Sequence, residues 1–269
     1  MIFARQLRGE LRKLWHPLVA LSVLCAAAVV CAMQAANVRA PYPGPSMADV
    51  SGCLRIAFLQ HATAVGFVLA GVLAAFGTAE ELGSGAIADT LVREPRRGRV
   101  LVLKSTAVCC ALLASTLLAT AALWLTGSLE RAQGVRFAKV AGSTWTAALT
   151  DVSASLLVIP LASAVAVVLA LVTRSTIATV ITTGAVFALP LAILQDAFVW
   201  LTPTRWIVEW LHLDPLGQGV DYLANNSAYD HRAGPAFISG ALIVLSTVAL
   251  LAFGGSLLWR ATTVPAERV

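Results

Sequence analysis

The sequence predicts an all-α integral membrane protein with six membrane-spanning helices in a single domain, 1–269. Three observations lead there. Hydrophobic residues make up 58% of the chain and charged residues only 12%, against about 45–50% and about 25% in a soluble domain. Those apolar residues gather into segments of about 20, the length a helix needs to cross a bilayer. Helices satisfy their own backbone in lipid, and the alternating period of a membrane β-barrel is absent. Finally, the basic residues fall preferentially on one set of loops.

Residues 1–16 form an amphipathic segment. Phe3, Leu7, Leu11 and Leu14 follow helical spacing, with Trp15 beside them, while Arg5, Arg8 and Arg12 point away. That pattern predicts an interfacial helix, apolar face in the membrane and basic face toward anionic headgroups. A secretory signal peptide is the competing reading, but the apolar run that follows is too long for one and no good cleavage site ends it.

The first span is 17–36, opened by Pro17, a residue suited to a first helical turn. A loop at 37–55 follows, with Pro41, Pro43, Gly44 and Pro45. The second span is 56–77, with Gln60 and His61 near its start; His61 reads as a packing histidine rather than a ligand. Gly66, Ala70, Gly71 and Ala75 form a candidate close-packing face on this span. The third span is 101–125, and a polar loop at 126–145 leads to the fourth, 146–172, where Pro160 is expected to kink the helix. A tight turn at 173–176 carries Arg174. The fifth span is 177–201. The connector 202–234, with Trp206 and Trp210 among apolar residues, suits the membrane boundary and predicts one or two short helices that dip into the interface or re-enter. The sixth span, 235–259, carries no charge.

With six spans both termini lie on one side. Placing them inside puts 12 of the 19 lysines and arginines in inside regions and seven outside, which favours cytoplasmic termini. That bias also accounts for the net charge of +5, so nucleic acid is not an expected partner. The five cysteines have no metal-ligand spacing and read as small apolar packing residues. No metal, cofactor or catalytic residue is expected.

Between the second and third spans lies the markedly charged stretch of the chain, 78–104. It holds Glu80, Glu81, Asp89, Arg93, Glu94, Arg96, Arg97, Arg99 and Lys104. It is not a nucleotide site: Gly98 to Ser105 has the Lys-Ser pair of a phosphate loop, but Leu103 stands where the second glycine must be. Gly83-Ser84-Gly85 has no histidine near in sequence, and Glu80-Glu81 lacks the arginine of a di-glutamate protease. The ionisable Lys104, Asp151 and Asp196 fall near span ends rather than at mid-membrane, where an ion-coupled secondary transporter usually keeps such groups.

The arrangement resembles the permease subunit of ABC-2-type ATP-binding-cassette exporters, over nearly the whole chain. That family combines an interfacial N-terminal helix, six spans, a cytoplasmic loop between spans 2 and 3, and a long outer connector with short extracellular helices before span 6. Its loop carries a glutamate, small residues, a leucine pair, Pro-x-x-Arg and a lysine that opens span 3. Here Glu81, Gly85, Thr90-Leu91, Pro95, Arg99 and Lys104 stand in that order, with Arg97 the alternative for the arginine.

The resemblance implies that 78–104 is a coupling loop docking on separate ABC ATPase subunits, which would bind ATP and Mg. The residues it assigns to coupling are Glu80, Glu81, Gly85, Asp89, Thr90, Arg93, Pro95, Arg96, Arg97, Arg99 and Lys104, with Arg174 as a second contact. Within the loop, Gly83 and Gly85 would let the chain turn, Ala86 to Arg93 would form a short helix, Pro95 would end it, and Lys104 would snorkel to the interface. A second permease subunit, identical or paralogous, and membrane lipid are the other implied partners. High Ala, Val, Leu, Arg and Gly usage points to a bacterial plasma membrane. An ion-coupled secondary transporter, or a non-transporting anchor for a cytosolic partner, is the alternative. The exported substrate is not written in the sequence; the weakly charged spans suit an amphipathic or lipid-like compound.

Overall fold

A computed structural model describes residues 2–14, 17–38, 49–62, 64–93, 96–132, 145–193 and 236–263. Among the described residues there are ten α-helices, one π-helical turn and no strand. In order they are α1 (Ile2–Lys13), α2 (Pro17–Val38), α3 (Val50–His61), α4 (Ala64–Ala74), the π-turn (Ala75–Ala79), α5 (Glu80–Gly83), α6 (Ala86–Arg93), α7 (Arg97–Ala132), α8 (Trp145–Thr173), α9 (Thr176–Ile193) and α10 (Ala236–Thr263).

Helix α8 is the centre of the bundle. It packs against α3, α4, α7, α9 and α10. From residue 158 to 171 only Pro160 and Leu169 escape full burial. A helix that is apolar all round belongs in a core, and α8 is that helix here, running unbroken through Pro160. Small residues set how closely its neighbours approach. A Cβ on Gly71 of α4 would come 2.9 Å from the Thr183 side chain of α9, and one on Gly254 of α10 would meet Leu101 and Val168 at 3.0 Å. Gly66, Ala70 and Ala75 are buried too, so the small-residue face of the second apolar segment is a packing face within this chain.

Among the described residues, three helical segments are long and apolar enough to cross a membrane: Val65–Gly83, Arg97–Ala132 and Ser155–Thr173. A fourth is available if Ala4–Lys13 and Pro17–Ala32, bent by 85° to one another, form one broken span. Thr176–Ala185 and Leu242–Leu257 are apolar but shorter. Exposed Leu18, Leu21 and Leu24 on α2, Leu117, Leu118 and Leu125 on α7, and Val244, Leu245 and Val248 on α10 are compatible with a lipid-covered belt. Several hydroxyls inside these helices are satisfied by their own backbone. Thr116, Thr120, Ser163, Thr183 and Thr247 each donate to the carbonyl four residues back, at 2.7–2.9 Å.

Four sequence expectations need correction. The segment 56–77 is not one helix: α3 ends at His61 and a separate helix, α4, begins at Ala64. Gly66 explains how, because any Cβ there would lie 1.6 Å from the carbonyl oxygen of His61; only glycine lets the new helix start beneath that carbonyl. The expected loop 37–55 is helical at both ends, closing α2 and opening α3. Span 3 begins early. Residues 97–104, assigned to the loop, are the first turns of α7, which at 36 residues is about 54 Å long. Its N-terminus is set by Arg96, whose carbonyl accepts the Arg99 and Val100 amides at 2.9 and 3.2 Å.

The fourth correction concerns α1. It is amphipathic as expected, with Arg5, Arg8 and Arg12 exposed. Its apolar stripe, however, packs on protein. Leu14 is buried and Leu7 and Leu11 lie against the main core, with α7 as the neighbouring helix. The short helices expected in 202–234, the end of span 5 with Gln195 and Asp196, and most of the loop 126–145 lie outside the described residues.

His61 is fully buried, with Nδ1 2.9 Å from the Ala57 carbonyl and Nε2 3.0 Å from Ser115 Oγ. Because a carbonyl only accepts, Nδ1 carries the proton and Nε2 accepts from the serine. It joins α3 to α7. Gly66→Ala should lower stability by about 1–3 kcal/mol or more through overpacking against backbone. Gly9→Ala, where a Cβ meets nothing within 4 Å, should be neutral or raise it by about 0.5–1 kcal/mol. Thermal unfolding of the detergent-purified chain measures both.

Candidate functional site

The site is assembled where α1, the π-turn and α7 meet. The apolar helix α4 does not end at residue 74 but widens into the π-turn, in which the Glu80 amide bonds back to the Ala75 carbonyl. Such turns recur at functional sites. Gly77 lies in the middle of it. A side chain there would press on Leu14, whose Cδ2 would be 3.1 Å from a Cβ, so glycine lets α1 lie close over the turn. Helix α5 follows and stops at once: Ser84 Oγ donates to the Glu80 carbonyl at 2.9 Å, and Gly85 takes a left-handed φ of 77°, the geometry that closes helices and favours glycine.

The chain then re-enters helix as α6, the range expected from the sequence. Its Ala88 amide bonds to the Gly85 carbonyl at 3.0 Å. Ile87 is buried and Leu91 packs against the core, while Ala88 and Val92, the latter 82% exposed, face outward. So α6 is a short amphipathic helix seated by one face.

Where α1, α5 and α7 meet is a closed ring of four charges. Lys104 Nζ donates to Glu81 Oε2 at 2.7 Å and to Glu10 Oε2 at 3.1 Å. Lys13 Nζ donates to Glu81 Oε1 and to Glu10 Oε1, both at 2.7 Å. Every carboxylate oxygen in the ring faces one ammonium. The third donor of Lys104 goes to the Gly77 carbonyl at 2.7 Å, so its capacity of three is filled. The lysine is 3% exposed. It does not snorkel outward as expected, because its partners lie inward. Burial opposes the Lys13 charge, but Glu10 and Glu81 outweigh that and hold its ammonium above the ordinary lysine range.

The residues assigned to coupling separate into groups. Glu81 and Lys104 are in the ring. Glu80 and Arg96 are exposed, Arg97 and Arg99 half-buried at the head of α7, and Thr90 half-buried on α6. Asp89 and Arg93 lie on α6 with side chains outside the described residues, as is Pro95 altogether. Arg174 is exposed and stands apart in the turn between α8 and α9, in a left-handed conformation (φ 51°) rare for a side-chain-bearing residue. The ring also contains two residues not assigned from the sequence, Glu10 and Lys13. A signal for Glu10 was present: it lies on the same helical face as Leu7, Leu11 and Leu14, and an acid on an apolar stripe needs a partner. Among the described residues no three His, Cys, Asp or Glu side chains gather as a metal would require.

A family described as a protein of unknown function (DUF2705) matches residues 20–217. The matched range holds Glu81, Lys104 and all of α6, and begins after α1. No curated protein and no solved structure matches the chain.

Removing one member of a buried ion pair leaves the other uncompensated, at about 3–5 kcal/mol. Lys104→Met should therefore destabilise by that amount, and Lys13→Met, whose side chain is 43% exposed, by only about 0.2–1 kcal/mol. The pair Lys104→Met with Glu81→Leu should cost less than the two single losses added. Denaturation in detergent, read as a double-mutant cycle, measures all of these.

Proposed function

The chain belongs to the DUF2705 family, and we propose that it is the permease subunit of an ATP-driven exporter of the ABC-2 type. In this reading α9 and α10 complete six spans, both termini lie in the cytoplasm of a bacterial cell, and two permease subunits line the pathway. The ATP and Mg sit on separate ATPase subunits. This chain contributes no catalytic group to hydrolysis.

The observation that carries the reading is α6. It is a short helix set off by a left-handed glycine, seated by Ile87 and Leu91, with the apolar Val92 left outward. Its stem, α5, is bound through Glu81 to both α1 and α7. A partner that pushes α6 displaces three structural elements together. ATPase closure would act through this foot to shift the population of inward- and outward-facing arrangements.

In this reading the labour is divided. Val92, Ala88, Glu80 and Arg96 are surfaces for the ATPase, whereas Glu81 and Lys104 transmit and do not touch it. Arg174 would be a second contact at the same membrane face. An anchor or an ion-coupled carrier is distinguished by whether a nucleotide-hydrolysing subunit co-purifies and whether cargo moves without one.

Val92→Asp should abolish co-purification with the ATPase, or its stimulated hydrolysis, while leaving the melting temperature of the isolated chain within about 1–2 °C of wild type; unchanged stimulation would refute the docking role. Arg174→Gly relieves a left-handed conformation and should raise stability by about 1 kcal/mol, with weaker stimulated hydrolysis. Melting and hydrolysis measured on the same preparations separate the two effects.

A further inference from the structure

A small recess opens beside the ring. Its polar walls are Glu10, Gly77, Thr78 and Lys104, and its apolar walls include Leu14 and Val108. It has room for a single water molecule.

Thr78 marks what the recess is for. The residue is 1% exposed, and its Oγ1 has no hydrogen-bond partner among the described residues. Elsewhere in the bundle a buried threonine donates to the carbonyl four residues back, as Thr116, Thr120 and Thr183 do. Thr78 lies in the π-turn, where backbone pairing reaches five residues back rather than four. The wider turn takes the usual carbonyl away from the hydroxyl. A buried hydroxyl is costly to leave without a partner, and Lys104 cannot supply one, because its three donors are taken and it accepts nothing.

We propose that one ordered water molecule occupies this recess, accepting the Thr78 hydroxyl proton and donating to the Glu10 carboxylate. The second lone pair of the Gly77 carbonyl is a further acceptor on the same wall. The water then has the two to four polar partners that buried waters require. It ties α1 to the π-turn by a route that does not pass through Lys104, and Thr78 is the residue that positions it. Hydration of this joint stands whether or not an ATPase docks on α6.

The test is a high-resolution structure of the full chain in nanodiscs, with melting of Thr78→Val and Thr78→Ser. The expected result is density within hydrogen-bonding distance of Thr78 Oγ1 in the wild type and none in Thr78→Val. The shape-matched valine should lower the melting temperature and the serine should preserve it. Thr78→Val combined with Glu10→Gln should lower melting by less than the two single shifts added. If the valine variant fails to fold, the density in the wild type and in Thr78→Ser decides alone. A recess without density in a map that resolves other buried waters overturns the proposal, as does Thr78→Val melting at or above the wild type.

Discussion

A buried ammonium sets the terms for the charged end of this protein. Taking the Lys104 headgroup out of water carries a penalty of several kcal/mol unless all its protons are met, and the fold meets them from three directions. Glu10 arrives on α1, Glu81 on α5, and the Gly77 carbonyl from the π-turn. Each of these conditions restricts the chain. Helix α1 must lie across the foot of α7, α4 must widen before it ends, and position 77 must lack a side chain so that Leu14 can close over it. Lys13, half-exposed, completes the pairing from the solvent side.

The bundle above this foot is held differently. Around α8 the contacts are apolar and close, with glycines on α4 and α10 admitting the neighbouring side chains and hydroxyls turned back on their own helices. Such packing is non-directional, whereas the ion-pair ring at the junction that carries α5 and α6 is directional.

Local signals in the sequence were sufficient for much of this. The ranges 17–36 and 146–172 fall within two residues of α2 and α8, because each is a continuous apolar run with a clear start. The extent of α6 was readable from Gly85 on one side and Pro95 beyond its end. What was not readable depends on partners far along the chain. Whether Lys104 turns outward or inward is decided by Glu10, 94 residues away, and the burial of His61 by Ser115, 54 residues away. The break after His61 had a local trace in Gly66, but a glycine in an apolar helix has many uses, and only the approach of the His61 carbonyl shows which one applies. The π-turn has no such trace: Ala75–Ala79 reads as ordinary helix.

The ring has an electrical consequence as well. It contains two carboxylates and two ammonium groups and so carries no net charge. Moving one elementary charge through a membrane potential takes about 2.3 kcal/mol per 100 mV. A rigid displacement of this foot shifts equal positive and negative charge along the same path, and the work against the field cancels. In a membrane, a joint that keeps its ions paired would in that sense be indifferent to voltage, whereas exposed charges around it, such as Glu80 and Arg96, would feel the field.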